Sequence, residues 1–270
     1  MHIRVGYDIE FDLPAATPML TVLSLHPSRV PTVVRPEAVR VEPYAPLSYY
    51  YDAFGNCCGR LVAPAGRVRL ASEAVVRDTG LLDPINREAR QHAVEDLPTD
   101  ALQFLLASRF CEVDLLKDEA WRLFSGTTPG WGRVQAVCDF VHGHLTFDYM
   151  AARVTRTAAE AYRERTGVCR DFTHLAVAFC RALNVPARYA TGYLGDIGVP
   201  ADPAPMDFSA WFEAYLDGRW WTFDARHNKP RIGRVLMARG RDAVDVALTT
   251  AFGVAVLKKF VVHTHEVAQP

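Results

Sequence analysis

The stretch from residue 165 to residue 189 constrains the fold of this chain more than any other. Apolar side chains recur there at intervals of three and four residues, which predicts a helix with one face in the core: Phe172, Leu175, Phe179 and Leu183. Thr166-Gly167 interrupts the chain before this helix. Asn184 suits a left-handed cap and Pro186 prevents continuation, so the helix is predicted to end there.

Cys169 falls in the first turn of the predicted helix. Unpaired N–H groups and the positive end of the helix dipole lie at such a position, and both favour the thiolate. The sequence therefore predicts a nucleophilic cysteine. Cysteine is also among the most buried residue types, and burial is the interpretation we favour for Cys180 on the same helix.

The net charge and the lack of long apolar runs exclude several classes of protein. The chain has 270 residues and a formal net charge of −1, so no global field attracts nucleic acid or an anionic membrane. Its first residues lack the apolar segment of an export signal, and no run approaches the roughly 18 apolar residues of a membrane span. We predict a cytoplasmic protein with reduced cysteines and neither nucleic-acid nor membrane partners.

The pattern of apolar residues and turn residues divides the chain into three parts. Residues 1–80 contain several strand-like segments separated by Gly and Pro, which predicts a β-rich, sandwich-like domain. Residues 81–99 are polar and contain Pro84 and Pro98, and we interpret them as a linker. Residues 100–270 combine helical periodicity with a hairpin and a final strand. The predicted fold class is α+β.

A β-hairpin is predicted around Asp217-Gly218, because this dipeptide joins two aromatic-rich segments. If Leu216 and Arg219 flank a two-residue turn, Trp211 is opposite Asp224. Ser209 is then the diagonal neighbour of Asp224 on the same face, about 7 Å away at Cβ.

Three blocks of the chain resemble the transglutaminase-like superfamily: Arg165-Thr-Gly-Val-Cys-Arg-Asp-Phe-Thr-His-Leu; Ala210-Trp-Phe-Glu-Ala-Tyr with Trp221-Thr-Phe-Asp224; and Gly240-Arg-Asp with Asp245-Val246. The resemblance implies a papain-like core of helices packed on an antiparallel sheet, preceded by the extra β-rich region of bacterial members. It also implies that Cys169 is the nucleophile and that Asp224 orients a histidine. The family's histidine normally precedes Ala-Trp, where this chain has Ser209.

His227 is the nearest substitute for that histidine, since a serine cannot act as the base. A straight strand would point His227 to the face opposite Asp224, so it joins the site only if Ala225-Arg226 turns the chain. The resemblance implies such a turn. We therefore predict three catalytic residues and a substrate cleft; the catalytic residues are Cys169, His227 and Asp224, and the cleft residues are Ser209, Trp211 and Arg226.

Two functions remain open from the sequence. The first is thiol-dependent acyl transfer or hydrolysis on a peptide or carboxamide of a peptide or protein substrate, without metal or cofactor. The second is a non-catalytic scaffold of the same fold that binds peptides or proteins, which Ser209 favours.

Other polar residues are expected to be structural. His174 is predicted to be a buried, hydrogen-bonded core residue. The paired histidines at 142/144 and 263/265 are not expected to bind metal. The arginines after the hairpin are interpreted as a solvated face, with a groove for acidic substrates as the alternative; they are Arg226, Arg231, Arg234, Arg239 and Arg241.

Overall fold

The structure is a computed structural model that describes residues 1–268. In this range the strands are β1 (His2–Leu13), β2 (Thr17–Thr21), β3 (Val33–Arg35), β4 (Arg40–Glu42), β5 (Ser48–Tyr51), β6 (Cys57–Ala63), β7 (Gly66–Arg77), β8 (Thr146–Phe147), β9 (Thr166–Gly167), β10 (Ala187–Tyr193), β11 (Ser209–Leu216), β12 (Arg219–Phe223), β13 (Val235–Gly240), β14 (Thr249–Ala251) and β15 (Val256–Val267). The α-helices are α1 (Thr99–Leu102), α2 (Val113–Phe124), α3 (Trp131–His144), α4 (Ala158–Glu164) and α5 (Cys169–Ala182).

Two antiparallel sheets form the N-terminal part of the molecule. One has the order β15-β1-β7-β3, with β4 also paired to β7, and the other has the order β14-β2-β6-β5. Alternate side chains of β1 and β7, such as Ile3, Ile9 and Leu70, share one core with Met19 and Leu61 of the second sheet. The α+β class and the β-rich N-terminal region are confirmed.

The sequence predicted that the last strand belongs to the helical part. The structure places it in the N-terminal sheet instead. It pairs antiparallel with β1 over almost its whole length, from His2 opposite Val267 to Asp12 opposite Val256. The prediction that 100–270 forms a unit with its own C-terminal strand is therefore wrong at that end. The apolar pattern identified β15 as a strand, but it could not show that the free edge of β1 would be its partner.

The sheet β12-β11-β10-β13 is the centre of the second part, and it is antiparallel throughout. Its β11–β12 hairpin has the predicted register, with Leu216 opposite Arg219 and Phe212 opposite Phe223. Phe212 belongs to a core shared with α5, whereas Met237 of β13 belongs to the N-terminal core. The sheet therefore lies between α5 and the N-terminal β-sheets.

Helix α5 begins and ends where the sequence predicted. Its first residue is Cys169, Asn184 has a φ of 61° and Pro186 follows. Nearly all of its residues are buried, since α2, α3, α4 and the sheet pack around it. The cysteine is thus held at the start of a helix that is almost entirely buried.

Residues 81–99, predicted to be a linker, form a strap that lies against the second part. The backbone N–H of Asp83 donates to the carbonyl of Arg231 at 2.9 Å, and the N–H of Trp131 donates to the carbonyl of Ala89 at 2.9 Å. The strap contains no strand and one short 3-10 turn at Val94–Asp96. Within residues 1–268, no helix has the length and apolar character needed to span a membrane.

Candidate active site

The backbone around Cys169 is fixed by a buried carboxylate. Asp171 Oδ2 accepts a hydrogen bond from the N–H of Val168 at 2.9 Å and another from Arg156 Nη1 at 3.1 Å. Asp171 and Arg156 are 1% and 4% exposed. This contact holds the residue before the helix in an extended conformation, so α5 starts at the cysteine.

Cys169 is partly exposed at a pocket of about 150 Å³. The pocket brings together four of the six predicted site residues, which are Cys169, Ser209, Arg226 and His227. Tyr149 and Asp207 also line it, as does much of the loop between β10 and β11. The thiol and the substitute histidine therefore share one cavity.

Trp211 does not line this pocket, contrary to its predicted place in the cleft. It is 2% exposed and packs with Ala190 and Leu236. The guanidinium carbon of Arg234 lies 5.1 Å from its ring centroid. Side chains alternate along β11, so Trp211 faces away from the α5 face of the sheet, where Phe212 packs.

His227 reaches Asp224 because the chain turns directly after β12. Asn228 N–H donates to the carbonyl of Asp224 at 2.8 Å, and Asn228 has a φ of 49°. Asp224 Oδ1 accepts the backbone N–H of His227 at 2.9 Å, and Oδ2 lies 2.9 Å from His227 Nδ1. A carboxylate only accepts, so Nδ1 carries the proton and Nε2 is the basic nitrogen of the neutral ring.

Asp224 is also held by Arg234, a residue the sequence placed on a solvated face. Arg234 Nη2 donates to Asp224 Oδ2 at 2.8 Å, and its Nε donates to Asp83 Oδ2 at 2.9 Å. Burial alone would raise the pKa of Asp224, but Arg234 and the hydrogen bonds of His227 hold it well below its usual value. Asp224 is therefore ionised at neutral pH and saturated with donors.

The interpretation of these arginines as a solvated face is wrong for Arg234 and Arg231. The side chain of Arg234 is 7% exposed, and Arg231 as a whole residue is 4% exposed. Arg231 Nη2 donates to the carbonyl of Gly195 at 2.9 Å. Arg241 is exposed, and its Nε lies 2.9 Å from Asp245 Oδ2. Spacing along the sequence does not distinguish the buried arginines from the exposed one, because the chain after Asn228 has no regular period.

The thiol of Cys169 is less acidic than its position in the helix predicted. Burial and the Asp207 carboxylate raise its pKa to about 11, against smaller opposing effects of Arg226 and the N–H of Ala210. The expectation of a thiolate held by the helix terminus is therefore wrong for the chain without substrate. The thiol is therefore protonated at neutral pH.

Two charged residues lie beside the thiol. The sequence did not predict Asp207, and it predicted Arg226 as a cleft residue without a specific role. Burial raises the pKa of Asp207, although its bond from Phe208 N–H and the charge of Arg226 oppose this. Arg226 stacks on Phe147, with its guanidinium carbon 3.9 Å from the ring centroid. The pocket thus holds a carboxyl group and a fixed cation next to the sulfur.

The other histidines have structural surroundings. His174 is fully buried, stacks on Phe110 with centroids 5.1 Å apart, and accepts the N–H of Ala243 at Nε2. Burial holds its pKa well below the usual value, so it is neutral. His263 and His265 stack 6.2 Å apart. In residues 1–268, no group of three or more His, Cys, Asp or Glu side chains could hold a metal ion.

Asp224 also lines a larger pocket of about 360 Å³, between the strap and α3. Trp131, Phe223 and Asn228 contribute to its walls. Neither Cys169 nor His227 lines it. The smaller pocket, which contains the thiol and an imidazole, is therefore the candidate active site.

Comparison with known proteins identifies the family to which the chain belongs. The sequence model of the transglutaminase-like superfamily matches residues 120–225, a range that includes Cys169 and Asp224 and ends before His227. An uncharacterised protein of Mycobacterium leprae is 31% identical over 207 residues, which is 73% of each chain. The chain belongs to the transglutaminase-like superfamily.

The similarity extends to the β-rich part that surrounds this superfamily core. A crystal structure of a candidate cysteine protease from Cytophaga hutchinsonii matches with a TM-score of 0.85 and 29% identity, and the match covers 100% of this chain and 92% of that one. The N-terminal sheets are thus shared with that candidate cysteine protease. Family and neighbour together support a thiol-dependent catalytic fold.

Proposed function

We propose that this protein is a thiol-dependent hydrolase or acyltransferase that acts on a peptide or carboxamide carbonyl. Cys169 is the nucleophile, His227 the base, and Asp224 the residue that orients His227. The observation that carries the proposal is that Cys169 and His227 line one pocket while Asp224 occupies Nδ1 of the histidine. This arrangement leaves Nε2 as the ring nitrogen able to take the thiol proton.

The raised pKa of Cys169 determines the order of proton transfer. Because the thiol is protonated at neutral pH, His227 Nε2 takes its proton as the sulfur attacks the carbonyl carbon. The carbonyl oxygen becomes an oxyanion. The C–N bond then breaks, the leaving amine receives the proton from His227, and a thioester remains on Cys169. Water or a second amine attacks the thioester and releases the acyl group.

Backbone N–H groups at the start of α5 are suited to stabilise the oxyanion. The first N–H groups of a helix have no partner inside it, and Cys169 opens this helix. They point along the positive end of the helix dipole. Preorganised donors at such a position contribute about 2.7–4 kcal/mol each in acyl transfer.

Thiol reactivity tests the proposal without knowledge of the substrate. Wild-type protein and His227→Ala are treated with iodoacetamide at pH 7.5, and modification of the Cys169 peptide is followed by mass spectrometry. We expect alkylation to be at least about tenfold slower in His227→Ala, since general-base assistance is lost. His265→Ala is the control. Equal rates in wild type and His227→Ala would refute the proposal in favour of a binding scaffold.

A second assay separates hydrolysis from transfer. Labelled casein is incubated with the protein, with and without a fluorescent primary amine. Release of peptides or ammonia without amine incorporation indicates hydrolysis, and incorporation of the amine indicates transfer. Cys169→Ala should abolish either product.

A further inference from the structure

One face of α3 is directed at the turn that carries His227. Gln135, Asp139 and His142 are spaced by four and three residues, so they lie within about 60° of one another around the helix. All three make hydrogen bonds to the turn between Asp224 and Asn228. None of them lines the pocket that contains Cys169.

Two residues of α3 hold the side chain of Asn228. Gln135 Nε2 donates to Asn228 Oδ1 at 2.9 Å, and Asn228 Nδ2 donates to Asp139 Oδ1 at 2.8 Å. Gln135 Nε2 also donates to Asp139 Oδ1 at 2.8 Å, which closes a ring of three bonds. Every polar atom of the Asn228 side chain is therefore bonded to α3.

His142 holds the backbone on the other side of His227. Its Nδ1 lies 2.8 Å from the carbonyl oxygen of Arg226, and since a carbonyl only accepts, Nδ1 carries the proton. The residues before and after His227 are thus both fixed to one helix. Asn228 also has the left-handed conformation that ends the turn, which asparagine tolerates better than most residues.

We propose that Gln135, Asp139 and His142 are positioning residues that clamp the 224–228 turn and so hold the His227 ring against Cys169. The proposal rests on the proposed function, in which His227 is the base. A histidine on a strand of the central sheet is placed by the strand's ladder of hydrogen bonds. A histidine on a turn after the strand lacks that support, and the face of α3 provides it.

The clamp also explains why a base can be located outside the sheet. Asp224 bonds the ring at Nδ1 and the backbone N–H groups of His227 and Asn228, but all of these bonds lie within the turn, so they leave the turn as a whole free to pivot about its ends. Three contacts from α3, whose opposite face is packed in the core, remove this freedom. Displacement of a catalytic group by about 1 Å can cost about 10²-fold in rate, so the clamp has a measurable effect.

The test uses four variants and one control on the same helix. His142→Ala, Asp139→Ala and Asn228→Gly each remove part of the clamp, and glycine keeps the left-handed conformation of position 228 available. His142→Asn restores a donor close to the place of Nδ1. His144→Ala is the matched control, because His144 bonds the carbonyl of Tyr162 instead of the turn.

Two readouts are combined. The exchange rate of the His227 Nδ1 proton, measured by NMR with labelled histidine, reports the order of the ring. The rate of Cys169 alkylation at pH 7.5 reports the consequence for the thiol. We expect faster proton exchange and about tenfold slower alkylation in the three clamp variants, with recovery in His142→Asn and no change in His144→Ala. Thermal unfolding of each variant identifies any that fail to fold.

The outcomes separate this proposal from the proposed function. If folded clamp variants keep the wild-type proton exchange rate, the clamp is refuted whatever the thiol does. If proton exchange accelerates while His227→Ala and wild type alkylate equally, the clamp stands and the catalytic role of His227 fails. If the clamp variants exchange faster but alkylate at the wild-type rate while His227→Ala is slow, the positioning role is refuted.

Discussion

His227 and Asp224 are joined twice: Nδ1 of the ring lies 2.9 Å from Oδ2, and the backbone N–H donates to Oδ1 at 2.9 Å. One carboxylate therefore holds both the ring and the main chain of a residue three positions later. A histidine at position 209 would be held in place by its strand, so the aspartate would need to hold only the ring. In this protein the carboxylate of Asp224 also shapes the turn that brings His227 to the pocket.

Replacing Asp224 by asparagine should impair both reactivity and stability. An amide at this position presents its NH₂ group either to Arg234 and the His227 ring together, which share Oδ2, or to the backbone N–H of His227 at Oδ1, and both places need an acceptor. We expect Cys169 alkylation to fall to the level of His227→Ala. Removing one partner of a buried ion pair should lower the free energy of unfolding by about 3–5 kcal/mol. Urea denaturation measures this, with exposed Asp118→Asn as the control. An unchanged free energy would contradict the buried pairing.

Arg234→Met should destabilise the site from the opposite side. The change leaves the buried Asp224 and the partly buried Asp83 without their shared cation, so we expect a loss of about 3–5 kcal/mol. The exposed Arg87 gives the matched control Arg87→Met, with an expected change within about 0.5 kcal/mol. In the double variant Asp224→Asn/Arg234→Met the losses should be smaller than additive. Strict additivity in denaturation experiments would mean that the two residues do not interact.

Moving the histidine back to the strand should restore part of the function. Ser209 lines the pocket, and extending the hairpin register one pair beyond Phe212–Phe223 makes it the diagonal neighbour of Asp224. Ser209→His combined with His227→Ala is expected to recover about tenfold of the alkylation rate lost in His227→Ala. Since Ser209 is 7% exposed, overpacking should lower stability by about 1–3 kcal/mol. No recovery in a folded double variant would show that the two positions are not equivalent.

Glu213 should make the central sheet sensitive to acid. Burial would raise its pKa, but Arg188 and Arg239 hold it below the ordinary value. A lowered pKa contributes stability that is present above pH 4.5 and is lost as pH falls through the pKa of the folded state. Glu213→Gln should therefore be much less stable than wild type at pH 7, and the difference should shrink below pH 4.5. A difference that is independent of pH in urea denaturation would refute this.

The local pattern of the sequence contained the helix, the hairpin and the position of Cys169 at the start of the helix. Apolar spacing and caps determined α5 and placed Cys169 at its first residue. The Asp217-Gly218 turn determined the register of β11 and β12, from Leu216 opposite Arg219 to Phe212 opposite Phe223. Both depend on contacts within a few residues, which is why they could be predicted.

The ionisation state of Cys169 could not be predicted in the same way. Its helix terminus favours the thiolate, but Asp207 and burial outweigh that effect. Asp207 lies in the loop after β10, and the burial of the thiol results from packing against the sheet. Contacts between distant segments therefore reversed the ionisation state that the helix terminus alone predicts for the thiol.

The sequence by itself determined that a cysteine opens a buried helix and that a hairpin carries an acid at its end. Only the tertiary structure decided that His227 turns back to this acid, that Arg234 and the strap hold the acid, and that β15 completes the N-terminal sheet. The physical reason is range. Periodicity and turn chemistry act over a few residues, whereas the partner of a charge, a turn or a strand edge is chosen by packing between distant segments.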